Sequence, residues 1–240
     1  MPLLDLWGKS RTDLEGKQVQ QIIAIAGSGK LLDGGDASKE FRDFLSHVPS
    51  TLLARYAEEC LNEKFESGGL ALQDVVNQVG RRLGFQVEDG RYHGSSGQSG
   101  HDGLWKSSLG GEIIVEVKTT DAYRVALGAI AEYRKKLIQE AKVVEANSSI
   151  LIVVGRQDTG DLEAQIRGSR HAWDIRLVSV NSLIRLMLLK ETVEDPQMLK
   201  KIAGVLVPQE FTRIDGIIDL VFSAAEEVRQ DVEEPEVQDD

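Results

Sequence analysis

Three side chains in one short stretch, Asp102, Glu116 and Lys118, have the types and spacing to do chemistry. Glu116 and Lys118 end the apolar run Ile113-Ile114-Val115-Glu116-Val117-Lys118, and Asp102 precedes that run in GHDGLWKSSLGGEIIVEVKTTD. The run is rich in β-branched residues and Gly110-Gly111 punctuate its start, which predicts a buried strand. Strand side chains alternate between faces, so Ile114, Glu116 and Lys118 share one face and Val115 and Val117 take the other. Two charges then emerge together from a hydrophobic strand. That is costly unless a metal ion, an ion pair or a substrate compensates.

The elements that must position these residues are legible on either side. Leu72, Val75, Val76, Val79 and Leu83 form one helical stripe closed by Gly84. Phe85-Gln86-Val87 starts a strand, and His101-Asp102-Gly103-Leu104-Trp105 reads as a second, ahead of the 113–118 strand. A long helix is expected over about Tyr123 to Val144, with Leu127, Ile130, Tyr133, Leu137, Ala141 and Val144 facing inward. The unbroken run Ser149 to Gly155 predicts a central strand covered on both faces. A short helix over Asp161 to His171, a strand over Ile175 to Val180 and a helix over Ser182 to Lys190 follow. The order helix, three strands, helix, strand, helix, strand predicts an α/β sandwich around a mixed sheet.

Residues 1–67 read as an N-terminal helical region, with Phe41, Phe44, Leu45, Leu52, Leu53, Tyr56 and Leu61 at helical spacing. Ala24 to Lys30 has the look of a phosphate loop but carries Ala24 and Leu31 where that motif needs Gly and Ser or Thr, so it reads as a turn between helices. The core spans 68–191, followed by a helical segment over 192–224 with Pro196 and Pro208. The end, 225–240, is acidic and expected to be disordered and solvated.

The net charge of −11 argues at first against a nucleic-acid partner, whose phosphates demand basic surface. The tail holds eight acids against Arg229 alone, so the rest of the chain carries only −4. A mildly acidic body binds phosphate locally where bases cluster and metal ions join them. With Cys60 the one cysteine, no disulfide forms within the chain, which fits a cytoplasmic protein. No signal peptide or membrane-spanning run is expected, and no membrane partner.

Asp102, Glu116 and Lys118, framed by a helix before and a helix after, resemble the PD-(D/E)xK nuclease superfamily of restriction and repair endonucleases. The similarity covers roughly Leu70 to Lys190. His101 stands where many members have Pro. Downstream, Ile150 to Gly155, Leu162-Glu163-Ala164-Gln165 and Ile175 to Leu189 are similar to the far half of type IIS restriction cleavage domains. The resemblance implies a restriction endonuclease-like three-layer sandwich with a central mixed sheet and an N-terminal helical extension. It also implies a Mg²⁺-dependent endodeoxyribonuclease acting on double-stranded DNA. The alternatives are a non-catalytic DNA-binding or scaffold protein of the same fold, and a nuclease for RNA or for branched or single-stranded DNA.

Phosphodiester hydrolysis needs an attacking water and stabilisation of charge on the phosphoryl oxygens. Asp102 and Glu116 offer hard oxygen ligands suited to Mg²⁺, with Mn²⁺ as a substitute and the Val117 carbonyl as a third ligand. Lys118 beside two carboxylates stays cationic and can orient water or neutralise the transition state. Asp121 reads as an N-cap of the following helix or a further ligand. Gln73 and Asp74 lie on the first core helix, where the resemblance allows an extra acidic ligand, and otherwise read as a solvated face; Arg134, Lys135 and Lys136 read as the wet face of the long helix. The segment holding Gln165, Arg167, Arg170 and His171 is a candidate grip on the DNA backbone, or a surface loop with cations at a helix end. Cutting both strands takes two sites, so a homodimer or a partner specificity subunit is expected.

Overall fold

The structure of the chain, a computed structural model, describes residues 2–93, 100–108, 110–119, 124–155, 158–192, 198–206, 214–215 and 217–218. Asp121, Tyr123, Pro196, Pro208 and the acidic end over 225–240 lie outside the described residues. Five helices open the chain: α1 (Leu3–Lys9), α2 (Arg11–Glu15), α3 (Val19–Ile25), α4 (Asp36–His47) and α5 (Ser50–Asn62). They lead into α6 (Gly68–Arg82), β1 (Gln86–Asp89), β2 (Gly103–Lys106), β3 (Glu112–Lys118) and α7 (Leu127–Gln139). Then come β4 (Ser148–Val154), α8 (Gly160–Arg167), β5 (Ile175–Ser179), α9 (Val180–Thr192) and α10 (Met198–Leu206).

The five strands form one sheet in the order β1-β2-β3-β4-β5. β1, β2 and β3 run antiparallel, and β3, β4 and β5 run parallel, so the sheet is mixed. Alternation along the strands divides the core in two. Ile113 and Val115 of β3, with Leu151 and Val153 of β4, face a layer of α1, α3, α4, α5, α6 and α9. Ile114, Ile150, Ile152 and Val154 face α7 and α8. Helices thus cover both faces, giving the α/β three-layer arrangement expected from the order of elements. The helices of 1–67 share one continuous apolar cluster with α6, α9 and the sheet face beneath them. The segment Ala26 to Lys30 is a turn between α3 and α4, where the Gly27 N–H donates to Glu40 Oε2 at 3.2 Å.

Three expectations are corrected. The helix after β3 ends at Gln139, well short of Val144. Ala141 takes a left-handed φ of 54°, a conformation that stops a helix, and Val144 is exposed while Val143 is buried. Arg134 is not on a wet face: its guanidinium reaches Ser148 Oγ at 3.0 Å, the Glu145 carbonyl at 2.8 Å and Asp174 at 3.3 Å. Gln73 and Asp74 are not solvated either, for α4 and the residues after β1 close over that side of α6.

Asp74 shows what that burial requires. Its side chain is wholly removed from solvent, accepts from Arg42 Nε at 2.8 Å and accepts from the Tyr92 hydroxyl. The Arg42 guanidinium also lies 4.9 Å from the Tyr92 ring centre. Burial still pushes the Asp74 carboxyl up to about 7, with the Arg42 charge and the two hydrogen bonds pulling the other way. Arg42→Ala is therefore expected to cost about 3 kcal/mol at pH 8, because it strands a buried charge. At pH 6 Asp74 takes up a proton and the loss shrinks. Urea denaturation at the two pH values checks this, and an equal loss at both would refute it.

Candidate active site

β3 carries Glu116 and Lys118, and its flanks decide which of its groups are available. Its parallel partner β4 pairs Glu116 with Ile152 and Lys118 with Val154, and the Gly155 N–H closes the ladder on the Lys118 carbonyl at 2.8 Å. On the other side β2 is shorter. Its first residue, Gly103, pairs with Val115, so β3 runs on beyond it through Glu116, Val117 and Lys118. A residue's N–H and C=O leave the same edge of a strand. Val115 faces β2 with its backbone groups, and so must Val117, which stands where β2 has ended.

Asp102 fills that gap. Its own N–H donates to the Val115 carbonyl at 3.0 Å, although Val115 already has Gly103 as register partner. Two residues of one strand oppose one of the other, as in a β-bulge, which turns a side chain out of plain alternation. The Asp102 carboxylate is thereby brought to the end of β2, and its Oδ2 accepts from the Val117 N–H at 2.6 Å. A sequence period of two does not reveal such a displacement.

Glu116 is 6% exposed, an unusual burial for a carboxylate. Its Oε1 accepts from Lys118 Nζ at 2.5 Å, while its Oε2 is buried without a hydrogen-bond partner among the described residues. Burial raises both carboxyls above their ordinary range. Asp102 is pushed up to about 7, first by burial and then by the Glu116 charge, with the Val117 N–H and Lys118 opposing. Glu116 is raised by burial and held back by the Lys118 hydrogen bond and charge. For Lys118, burial disfavours the ammonium, but the Glu116 contact and the Asp102 charge outweigh it and raise its pKa. The lysine is therefore a fixed cation.

These groups fit a hard divalent cation. Two carboxylates repelling one another, Asp102 half-buried and Glu116 buried with an orphaned oxygen, are the donor set such an ion would relieve. The Val117 carbonyl leaves the strand on the edge where Asp102 sits. Among the described residues no cluster of three or more His, Cys, Asp or Glu side chains exists, so side-chain ligands would number two, with main chain and water completing the shell.

The structure brings Asp102, Glu116, Val117 and Lys118 together, and leaves the basic segment apart. Arg170 and His171 precede β5 and border a groove with Ile138, Gln139 and Ile150. Ile150 pairs with Ile114, four ladder positions from Lys118 opposite Val154, roughly 13 Å along the sheet. Arg167 pairs with Glu163 at 2.7 Å on the exposed side of α8. Gln165 donates to the Val125 carbonyl at 2.6 Å and accepts from the Val125 N–H at 3.1 Å, so its amide braces the chain after β3 against α8.

Beneath Asp102 lie Gln73, expected on a solvated face, and Asn77, which the sequence did not single out. Gln73 Nε2 at 3.1 Å and Asn77 Nδ2 at 2.9 Å both donate to the Asp102 carbonyl. The available signal was their i, i+4 spacing beside the apolar stripe of α6, which puts both on one helix face.

No family model matches the chain, and no curated protein sequence does. Among solved structures the chain is similar to the complex of the restriction endonuclease PspGI with its substrate DNA, at 14% identity and a TM-score of 0.37, over 95% of this chain and 94% of that one. Among the described residues no helix is long and apolar enough to cross a membrane.

Proposed function

We propose that this chain is a Mg²⁺-dependent endodeoxyribonuclease, restriction endonuclease-like, with Asp102, Glu116 and Lys118 as its catalytic residues. The observation that carries the reading is the half-buried Asp102 beside the buried Glu116, with Glu116 Oε2 unpartnered and the Lys118 ammonium 2.5 Å from Oε1. Asp102, Glu116 and the Val117 carbonyl would hold Mg²⁺, or Mn²⁺ in its place. Bound there, the ion would lower the pKa of a ligated water and offset charge on the scissile phosphate.

The chain's own groups divide the remaining work. Lys118 has three N–H donors and spends one on Glu116, leaving others for a water or a phosphoryl oxygen. Its raised pKa suits it to neutralising charge that develops in the transition state, a contribution of about 10²–10³ in rate for one well-aimed donor. The Val117 N–H fixes one oxygen of Asp102 and so orients the carboxylate before any substrate arrives.

The test is incubation with supercoiled and linear DNA in Mg²⁺ or Mn²⁺, beside Asp102→Asn and Lys118→Ala. Wild type should nick or linearise DNA, and both variants should leave it intact. A wild type that spares DNA, or variants that cut equally, would overturn the assignment. RNA and single-stranded DNA run in parallel resolve the polynucleotide class. Sedimentation with duplex DNA tests whether the chain acts as a homodimer, the simplest way to supply two sites, or needs a specificity subunit.

A further inference from the structure

We infer that Gln73 and Asn77 are positioning residues that hold Asp102 through its backbone carbonyl, making α6 the platform of the site. The inference rests on the proposed role of Asp102. Three donors converge on that one carbonyl: the Gly90 N–H at 2.9 Å, Asn77 Nδ2 at 2.9 Å and Gln73 Nε2 at 3.1 Å. The Gly90 bond continues the β1–β2 pairing and suffices for the strand. The two carboxamides come in addition, and both are buried, Asn77 wholly so. Buried amides cost free energy unless fully bonded, and α6 supplies them where Asp102 leaves the sheet.

The grip is rigid at both ends. α6 is anchored by Leu72, Val75, Val76 and Val79 in the core, so Gln73 and Asn77 cannot retreat without moving the helix. Asn77 is itself fixed, because its Oδ1 accepts from the Trp105 indole N–H at 3.0 Å. Gly103 completes the fit. A Cβ there would lie 2.2 Å from Asn77 Oδ1, so only glycine lets α6 come this close to the bulge. With the Asp102 carbonyl held from α6 and its Oδ2 held by the Val117 N–H, backbone and carboxylate are both aimed. Hydrogen bonds behind a ligating carboxylate typically matter 10- to 100-fold in metal affinity or activity.

Gln73→Met tests this in the full chain, since it removes the donor while keeping length and volume; Asn77→Ala would also strand the Trp105 N–H and serves less well. The direct readout is hydrogen exchange of the Val117 amide, which the Asp102 carboxylate protects, against the Leu151 and Val153 amides of β4. The expected result is at least about tenfold faster exchange at Val117 with β4 unchanged, and about a tenfold rise in the Mg²⁺ concentration that half-saturates cleavage. Unchanged Val117 exchange, or an equal acceleration at Leu151 and Val153, would overturn the positioning role. A wild type that cuts no nucleic acid sinks the nuclease reading instead, and leaves amide exchange to decide the positioning role.

Discussion

Asp102→Asn and Lys118→Ala should each reduce DNA cleavage by at least about a hundredfold, yet shift metal-free stability in opposite directions. The Asp102 carboxyl lies near 7 in the folded chain against an ordinary 3.8. A carboxyl raised on folding binds its proton more tightly in the native state. Its contribution is present in full below the unfolded pKa and is lost as pH rises through about 7. At pH 8 the native state therefore holds a disfavoured charge next to Glu116. Asparagine removes that charge and can still accept from the Val117 N–H, so Asp102→Asn should gain on the order of 2 kcal/mol at pH 8 and little at pH 4. Lys118→Ala does the reverse, because it takes the counterion from a buried Glu116. The lysine side chain is 35% exposed, so solvent screening holds that loss to about 1 kcal/mol. Guanidinium denaturation at pH 4 and pH 8 measures both, and shifts of the same sign would contradict the electrostatic account. Saturating Mg²⁺ should stabilise wild type by more than either variant, by about 2.7 kcal/mol at a hundredfold excess over Kd.

Gly90→Ala is the backbone counterpart and should be at least as damaging. A Cβ at Gly90 would lie 2.0 Å from the His101 carbonyl oxygen and 2.5 Å from the Asp102 carbonyl carbon. Both are main-chain atoms, so no rotamer change relieves the clash, and the Gly90 N–H bond to Asp102 holds the two segments together. A loss of about 3 kcal/mol is expected, at the upper end for overpacking, with cleavage impaired beyond what stability explains because the displaced atoms carry Asp102. Gly128→Ala is the control. It lies within α7 with nothing within 4 Å of its Cβ position, so alanine should stabilise by about 0.5–1 kcal/mol. Thermal denaturation of both variants checks the pair, and a Gly90→Ala protein of wild-type stability would refute the close approach.

Much of the architecture was legible because its signals are local. β3 and β4 announced themselves through β-branched runs, and their observed ends fall within a residue of the expected ones. The stripe of α6 and its glycine stop were equally plain, since helical spacing and a left-handed Gly84 belong to one segment. Misreadings arose where a distant segment intervened. Asp74 looks like a surface acid until α4 delivers Arg42 and the residues after β1 deliver Tyr92. Arg134 looks like one cation among three until the turn before β4 and Asp174 close around it. Arg170 and His171 are near the site in neither sequence nor space, because α8 carries the chain back along the sheet before β5 begins.

The sequence by itself determined that Glu116 and Lys118 share a strand face, since alternation is a property of the backbone and needs no partner. It also determined the succession of elements and hence the mixed α/β sheet. Only the tertiary structure decided how Asp102 reaches that strand's end: β2 stops early, a bulge displaces the residue before it, and two amides of α6 take hold of its carbonyl. The physical reason is that register, bulges and helix docking are settled by contacts between segments far apart in the chain. A buried carboxylate with a half-buried one beside it is stable only where such contacts converge to hold the pair.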